Sequence, residues 1–193
     1  MKQELLKNMT GVKPQILLEK GVYRHILFKN ESDFEGWFEI MTSPEILTIN
    51  GDMGCYTFKR HESNDMFNYF RAYKPNLDKW HEKLIADSCF EPAKEFSFEA
   101  FEAWVNEAID NFFYDSKLSA GSLIDFKELM KNELKTVEEN GQACYDFIYG
   151  FHDEPTGFKF YTDDIGGSWD TFTPQFIYCL EAIIYAIKEL EKK

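Results

Sequence analysis

Apolar and polar residues in the first third of the chain alternate with a period of about two, which is typical of strands. Four β-rich runs, separated by turn residues, cover residues 21–28, 37–42, 46–49 and 55–58. The glycine-bearing turn between the last two runs predicts a hairpin. Because short connections join antiparallel neighbours, the pattern predicts a four-stranded antiparallel sheet. Before residue 21, only a short helix over residues 3–8 is predicted.

After Phe58 the spacing of apolar residues lengthens toward that of helices. The spacing also predicts a short strand at 158–161. It predicts six helices, near residues 64–71, 77–85, 98–112, 123–137, 143–149 and 173–190. The last helix is apolar on nearly all sides, so we expect it at the centre of the core. The sequence therefore predicts an α+β fold in a single domain, 1–193, whose sheet (1–60) is covered by helices from the mainly helical part (61–193).

The chain is acidic, and its charge is unevenly distributed. Its 193 residues include 34 acidic and 21 basic residues, and the net charge is −1 over residues 1–90 but −12 over residues 91–193. This excess of carboxylates argues against nonspecific binding to duplex DNA, which depends on surplus Lys and Arg. No stretch approaches the roughly 20 apolar residues that span a bilayer, and no signal peptide is evident. We therefore expect a cytoplasmic protein without membrane or duplex nucleic-acid partners.

Motifs of common enzyme and cofactor sites are missing from the sequence. It contains no P-loop, no dinucleotide-binding glycine motif, no paired metal-binding histidines and no nucleophile elbow. The four Cys residues are too widely spaced for a zinc or redox pair, and their apolar neighbours predict reduced, buried thiols. The turn at 163–168 lacks the ligand pattern of a calcium loop. We predict no catalytic residue, no metal site and no cofactor.

The most informative cluster of candidate functional residues is cationic. Residues 57–83 contain six basic and four acidic residues, so this part of an acidic chain is locally positive. If sheet and helices pack together, these basic groups converge near the turn that holds Asp52. Guanidinium groups bind phosphate through two hydrogen bonds, and aromatic rings stack on bases. The predicted site is a pocket for an anionic, nucleotide-like ligand formed by Arg24, His25, Asp52, Tyr56, Arg60, Arg71, Trp80 and Lys83.

A structural interpretation of the same residues stays open. The arginines can instead form ion pairs with Asp52 and Asp65 that hold the sheet to the helices, and the lysines can simply be solvated. Ion-pair networks are commoner than functional sites, so this interpretation is favoured for any single residue. Trp80 is the exception, because it lies between two lysines in a short polar helix, where we expect it to contact a ligand.

The same residues lie in motifs that resemble those of a family of uncharacterised bacteriophage and prophage proteins. In one-letter code these motifs are GVYRH at 21–25, GDxGxYxFxR at 51–60, DMFxxFR at 65–71 and WxEKL at 80–84, followed by an aromatic C-terminal helix. Little matches between residues 87 and 170, and Lys59 stands where the family pattern has a small Ser. Because the family has no activity to carry over, the resemblance implies a viral origin but no mechanism.

A small acidic phage protein without enzyme motifs is expected to be an accessory protein that counters host defence in the host cytoplasm. The cationic cluster favours sequestration of a nucleotide-like anion without turnover. The acidic C-terminal half favours an inhibitor that mimics nucleic acid and blocks a host defence protein. A nucleotide hydrolase with His25 or His81 as general base ranks last, because no triad or metal spacing supports it.

The sequence narrowly favours sequestration among these hypotheses. The expected partner is then an anionic small molecule, and under the second hypothesis it is a host defence protein. A homo-oligomer is also possible, since the long apolar C-terminal helix can bury either a dimer contact or the centre of a monomer.

Overall fold

A computed structural model describes residues 12–29, 36–116, 118–161 and 169–192. The chain divides into two compact units, which we call the sheet unit (residues 1–94 and 172–193) and the helical unit (residues 95–171). The prediction of a single domain stays a prediction. The helix predicted at 3–8 and the turn at 163–168 lie outside the described residues.

The sheet unit contains a six-stranded antiparallel sheet whose strands follow one another in chain order. This confirms the predicted α+β class and antiparallel pairing, but the predicted number of four strands in the sheet is wrong. The strands are β1 (Lys13–Lys20), β2 (Tyr23–Lys29), β3 (Phe38–Ser43), β4 (Ile46–Gly51), β5 (Gly54–Lys59) and β6 (Leu84–Asp87).

The two strands that the sequence pattern missed are the two edge strands of the sheet. Strand β1 is exposed along almost its whole length, so its sequence shows no burial alternation, and a bulge between Ile16 and Leu18 interrupts its register with β2. Strand β6 lies partly in the segment predicted as a helix over 77–85, but that helix ends at His81 and the chain then pairs with β5.

The described part of the chain contains six helices. They are α1 (Met66–Phe70), α2 (Leu77–His81), α3 (Phe98–Asp115), α4 (Ala120–Leu134), α5 (Gly141–Gly150) and α6 (Pro174–Glu191). Side chains cap several of them at the first turn. Ser97 Oγ accepts the Ala100 N–H at 3.1 Å, and Thr173 Oγ1 accepts the Phe176 N–H at 3.3 Å.

One face of the sheet forms the core of the sheet unit. Ile26 and Phe28 of β2 and Ile40 of β3 are fully buried, together with Tyr56 and Phe58 of β5. Helix α6 closes this core, and its Phe176 ring lies 5.2 Å from the Tyr56 ring in an edge-to-face arrangement. The predicted central position of the C-terminal helix in the core is therefore confirmed.

The helical unit has a separate aromatic core. Buried residues come from α3, α4, α5 and the segments that follow, with Phe101 against Trp169 at 4.9 Å and Phe126 against Phe158 at 5.1 Å. Its short strands β8 (His152–Asp153) and β9 (Phe158–Lys159) form a hairpin. Strands β7 (Lys94–Phe96) and β10 (Asp170–Phe172) form a third, two-stranded sheet.

In the described parts of the chain, no helix combines the length and the apolar character needed to cross a membrane.

Candidate functional site

Arg24 is bound to the residue that caps helix α1. Asp65 is the N-cap of α1, and its Oδ1 accepts the Phe67 N–H at 3.0 Å. Both Asp65 oxygens also accept hydrogen bonds from the Arg24 guanidinium, each at 2.9 Å. The guanidinium lies 4.6 Å from the centre of the Phe67 ring. The hydrogen bonds from Arg24 are the main reason why the pKa of Asp65 is lowered.

The other two arginines of the predicted site contact the same short helix. Arg71 donates from Nε to Glu191 Oε1 at 2.7 Å and from Nη1 to Asn68 Oδ1 at 2.9 Å. The Arg60 guanidinium stacks 4.6 Å from the centre of the Tyr69 ring. Three arginines thus surround α1, and each already has a carboxylate, amide or aromatic partner.

Asp52 lies at the other end of the sheet from these arginines. Gly51 pairs with Phe38, whereas Arg24 pairs with Thr42, four residues further along β3. The expectation that the arginines converge on Asp52 is therefore wrong. The Asp52 carboxylate instead accepts the Gly36 and Trp37 N–H groups at 2.6 and 3.3 Å.

His25 faces the side of the sheet opposite to Arg24, because neighbouring residues of a strand point to opposite faces. Its Nε2 lies 2.7 Å from Glu39 Oε2, and Asn50 Nδ2 donates to Glu39 Oε1 at 3.0 Å. The hydrogen bond with His25 is the main cause of the lowered pKa of Glu39. The sequence analysis did not predict Glu39 and Asn50 as hydrogen-bond partners at this site. The two residues lie directly opposite each other on neighbouring strands, so their side chains share one face of the sheet.

The two aromatic residues of the predicted site are in the core. Tyr56 is fully buried and its hydroxyl donates to the Glu91 carbonyl at 2.9 Å, while Trp80 is 3% exposed and packs 4.7 Å from the Phe70 ring. Neither ring presents a face to solvent for stacking. Lys83 is half-buried, and its Nζ lies 3.9 Å from a carboxylate oxygen of its neighbour Glu82.

Thiols and metal-binding groups form no further centre among the residues that the structure describes. All four cysteines are free; Cys179 and Cys144 are buried, but Cys89 is exposed, contrary to the prediction. Burial and the nearby Glu39 raise the pKa of the half-buried Cys55. Among the described residues, no group of three or more His, Cys, Asp and Glu side chains is arranged to hold a metal ion.

The excess negative charge of the chain is confined to the helical unit. Residues 95–171 contain 17 acidic and five basic residues, a net charge of −12, whereas the sheet unit has 17 acidic and 16 basic residues. Helix α3 alone carries five acidic residues between Glu99 and Asp115, over about 24 Å of helix. The boundary of this charge difference matches the boundary of the two units, which the sequence alone placed near residue 90.

Many carboxylates of the helical unit are exposed and carry no ion pair. Glu107 of α3 and Asp125, Glu128 and Glu133 of α4 are exposed, and none forms an ion pair or side-chain hydrogen bond with a described residue. By contrast, Asp110 pairs with Lys127 at 2.5 Å. Exposed aromatic rings lie in the same unit, since Tyr114 is 90% exposed. The helical unit therefore presents carboxylates at fixed helical positions.

Comparison with known proteins adds no relative, because no family model, no curated protein and no solved structure matches the chain.

Proposed function

We propose that this chain acts as a protein-binding inhibitor whose acidic helical unit occupies a basic, nucleic-acid-binding surface of a partner. The observation that carries this proposal is the net charge of −12 within residues 95–171, much of it on exposed carboxylates fixed on α3 and α4. Such a field steers association with a basic surface and supplies specificity through charge complementarity. The resemblance to phage proteins indicates a host defence protein as the partner.

Sequestration of a nucleotide-like anion at the arginine cluster has less support. An anion there must displace Asp65 from Arg24 or Glu191 from Arg71, and both carboxylates already neutralise the guanidinium groups. Tyr56 and Trp80, which were predicted to stack on a base, are buried. These contacts favour the structural interpretation of the arginines, in which they hold α1 against β2 and α6.

The hydrolase hypothesis also gains little from the geometry. His25 and Glu39 form the base-and-carboxylate half of a triad. The nearby Cys55 thiol is the candidate nucleophile for such a triad. Its pKa is raised, so it stays protonated, and a protonated thiol is a poor nucleophile. The carboxylate that would orient a catalytic histidine here also raises the pKa of that thiol.

The experiment that tests the proposal is affinity capture from host lysate followed by competition. The full chain is immobilised, and bound proteins are eluted with duplex DNA or with heparin. We expect a nucleic-acid-binding protein that elutes with either polyanion and whose DNA binding is blocked by the free chain. A captured protein that elutes with neither polyanion, and that binds DNA equally well with the chain present, would contradict the proposal.

A further inference from the structure

A hollow of about 300 Å³ lies in the helical unit where α5 ends and the β8–β9 hairpin begins. It is lined by residues 148–152 together with Lys159 and Phe160. This volume is at the lower end of the range of small-ligand pockets. All its lining residues belong to the helical unit and lie far along the chain from the arginine cluster.

The hairpin that forms one wall is held by its own turn. Asp153 Oδ2 accepts the Thr156 N–H at 2.9 Å and the Thr156 hydroxyl at 2.5 Å, and Gly157 completes the turn with a positive φ of 73°. This turn sets His152 directly opposite Lys159. Side chains in such cross-strand pairs are close neighbours, with Cβ atoms about 4.5–5.5 Å apart. The two basic groups are therefore positioned before any ligand binds.

No ion pair joins His152 or Lys159 to the described part of the acidic helical unit. The helical unit holds 17 acidic residues, yet no described carboxylate lies within ion-pair distance of His152 or Lys159. Among the described residues, the Lys159 ammonium group lies over the face of the Tyr161 ring, 5.4 Å from its centre. The Asp153 carboxylate beside them is committed to Thr156. The pair is thus available to an external anion.

The other walls of the hollow suit a planar ring. Phe160 is 8% exposed and belongs to the core of the helical unit, so the rings that a ligand can contact are those of the partly buried Phe151 and of Tyr149, which is 69% exposed. The last carbonyl groups of a helix have no intrahelical donor, so those at the end of α5, up to Gly150, can accept hydrogen bonds from ring amino groups. Aromatic faces, carbonyl acceptors and two basic groups occur together here.

We propose that this hollow binds a purine nucleoside monophosphate, with the phosphate between His152 and Lys159 and the base against the rings of Tyr149 and Phe151. The small volume favours a mononucleotide over a larger ligand. This site goes beyond the proposed inhibitor function and does not depend on it. It retains the ligand class predicted from the sequence but assigns it to different residues.

The test is to measure the dissociation constants of the full chain for AMP, adenosine and inorganic phosphate by isothermal titration calorimetry. We expect AMP to bind at least tenfold more tightly than either fragment, and Lys159→Gln and His152→Gln each to weaken AMP binding at least tenfold. The matched control is Lys131→Gln, which removes an exposed lysine of α4 in the same unit and should leave the affinity unchanged. Circular dichroism checks that each variant is folded.

Three results would overturn the site. They are the lack of AMP binding at millimolar concentration, equal affinity for AMP and phosphate, and equal weakening by Lys131→Gln and Lys159→Gln. The last result would show that the general charge of the unit, and no defined pocket, sets the affinity.

Discussion

The Arg24 guanidinium and the Asp65 carboxylate form two parallel hydrogen bonds of 2.9 Å that join strand β2 to the start of helix α1. Both side chains are largely buried, 16% and 23% exposed. Loss of one member leaves the other charge partly buried without its partner, which is costly. Arg24 and Asp65 are therefore expected to contribute to the stability of the folded chain.

A double-mutant cycle measures this role directly. Arg24→Met and Asp65→Asn should each lower the free energy of unfolding by about 2 kcal/mol, the typical contribution of hydrogen bonds to charged groups. Asn keeps the N-cap of α1, so the cycle isolates the pair. We expect a coupling energy of about 1–2 kcal/mol from urea denaturation. A coupling energy near zero would show that the pair does not hold α1 to the sheet.

Trp80 should behave as a core residue. Trp80→Ala should lower the free energy of unfolding by about 3–5 kcal/mol, because it removes a buried ring packed on Phe70 and leaves a cavity. The control is Tyr73→Ala, since Tyr73 is 91% exposed, and its effect should stay below about 1 kcal/mol. If the two substitutions cost the same in thermal denaturation, the burial of Trp80 is contradicted.

Gly51 should tolerate no side chain. A Cβ at this position would lie 2.8 Å from Phe38 Cα on the neighbouring strand, closer than van der Waals contact allows. Gly51→Ala should therefore destabilise the sheet unit by about 1–3 kcal/mol, the usual cost of overpacking. Gly121→Ala is the control, because the nearest atom there is 3.6 Å away. Its predicted effect on unfolding is neutral or slightly stabilising.

The Glu39 carboxylate should titrate below its ordinary range. Because its folded pKa lies below the unfolded value of about 4.3, its contribution to stability is present above that pH and is lost as the pH falls through the folded pKa. His25→Phe should raise the pKa of Glu39, because it removes the hydrogen bond with His25, which is the main cause of the shift. Carboxyl NMR titration of both proteins checks this, and an unchanged pKa in the variant would exclude His25 as the cause.

The central strands were predictable because their burial alternates. Strands β2 to β5 place alternate residues such as Ile26 and Ile40 on the core face, and that period is visible in the sequence. Strand β1 shows no such period because it is exposed along most of its length. Helix α2 is too short for its period to show which face is buried, so the sequence did not predict the burial of Trp80.

The arginine contacts could be predicted only in part. Asp65 follows from local sequence, because an Asp before an apolar run is a good N-cap and was one of the two predicted ion-pair partners. Glu191 lies 120 residues from Arg71, so only the packing of α6 brings them together. The charge excess of residues 95–171 was visible in the sequence, but its assignment to one compact unit required the fold.

The proposed inhibition depends on exposed carboxylates of the helical unit, so their removal should weaken partner binding. The triple variant Glu107→Gln, Glu128→Gln, Glu133→Gln removes three exposed carboxylates from α3 and α4 that form no ion pair with a described residue. The matched control replaces three exposed glutamates of the sheet unit, at positions 19, 62 and 82, and changes the net charge of the chain equally.

The most direct measurement is the dissociation constant of each protein for the captured partner, obtained by fluorescence anisotropy at several salt concentrations. We expect the triple variant to bind at least tenfold more weakly than the wild type with a shallower salt dependence, and the control to bind like the wild type. Equal affinities of all three proteins, or equal weakening in both variants, would contradict an inhibitory surface on the helical unit.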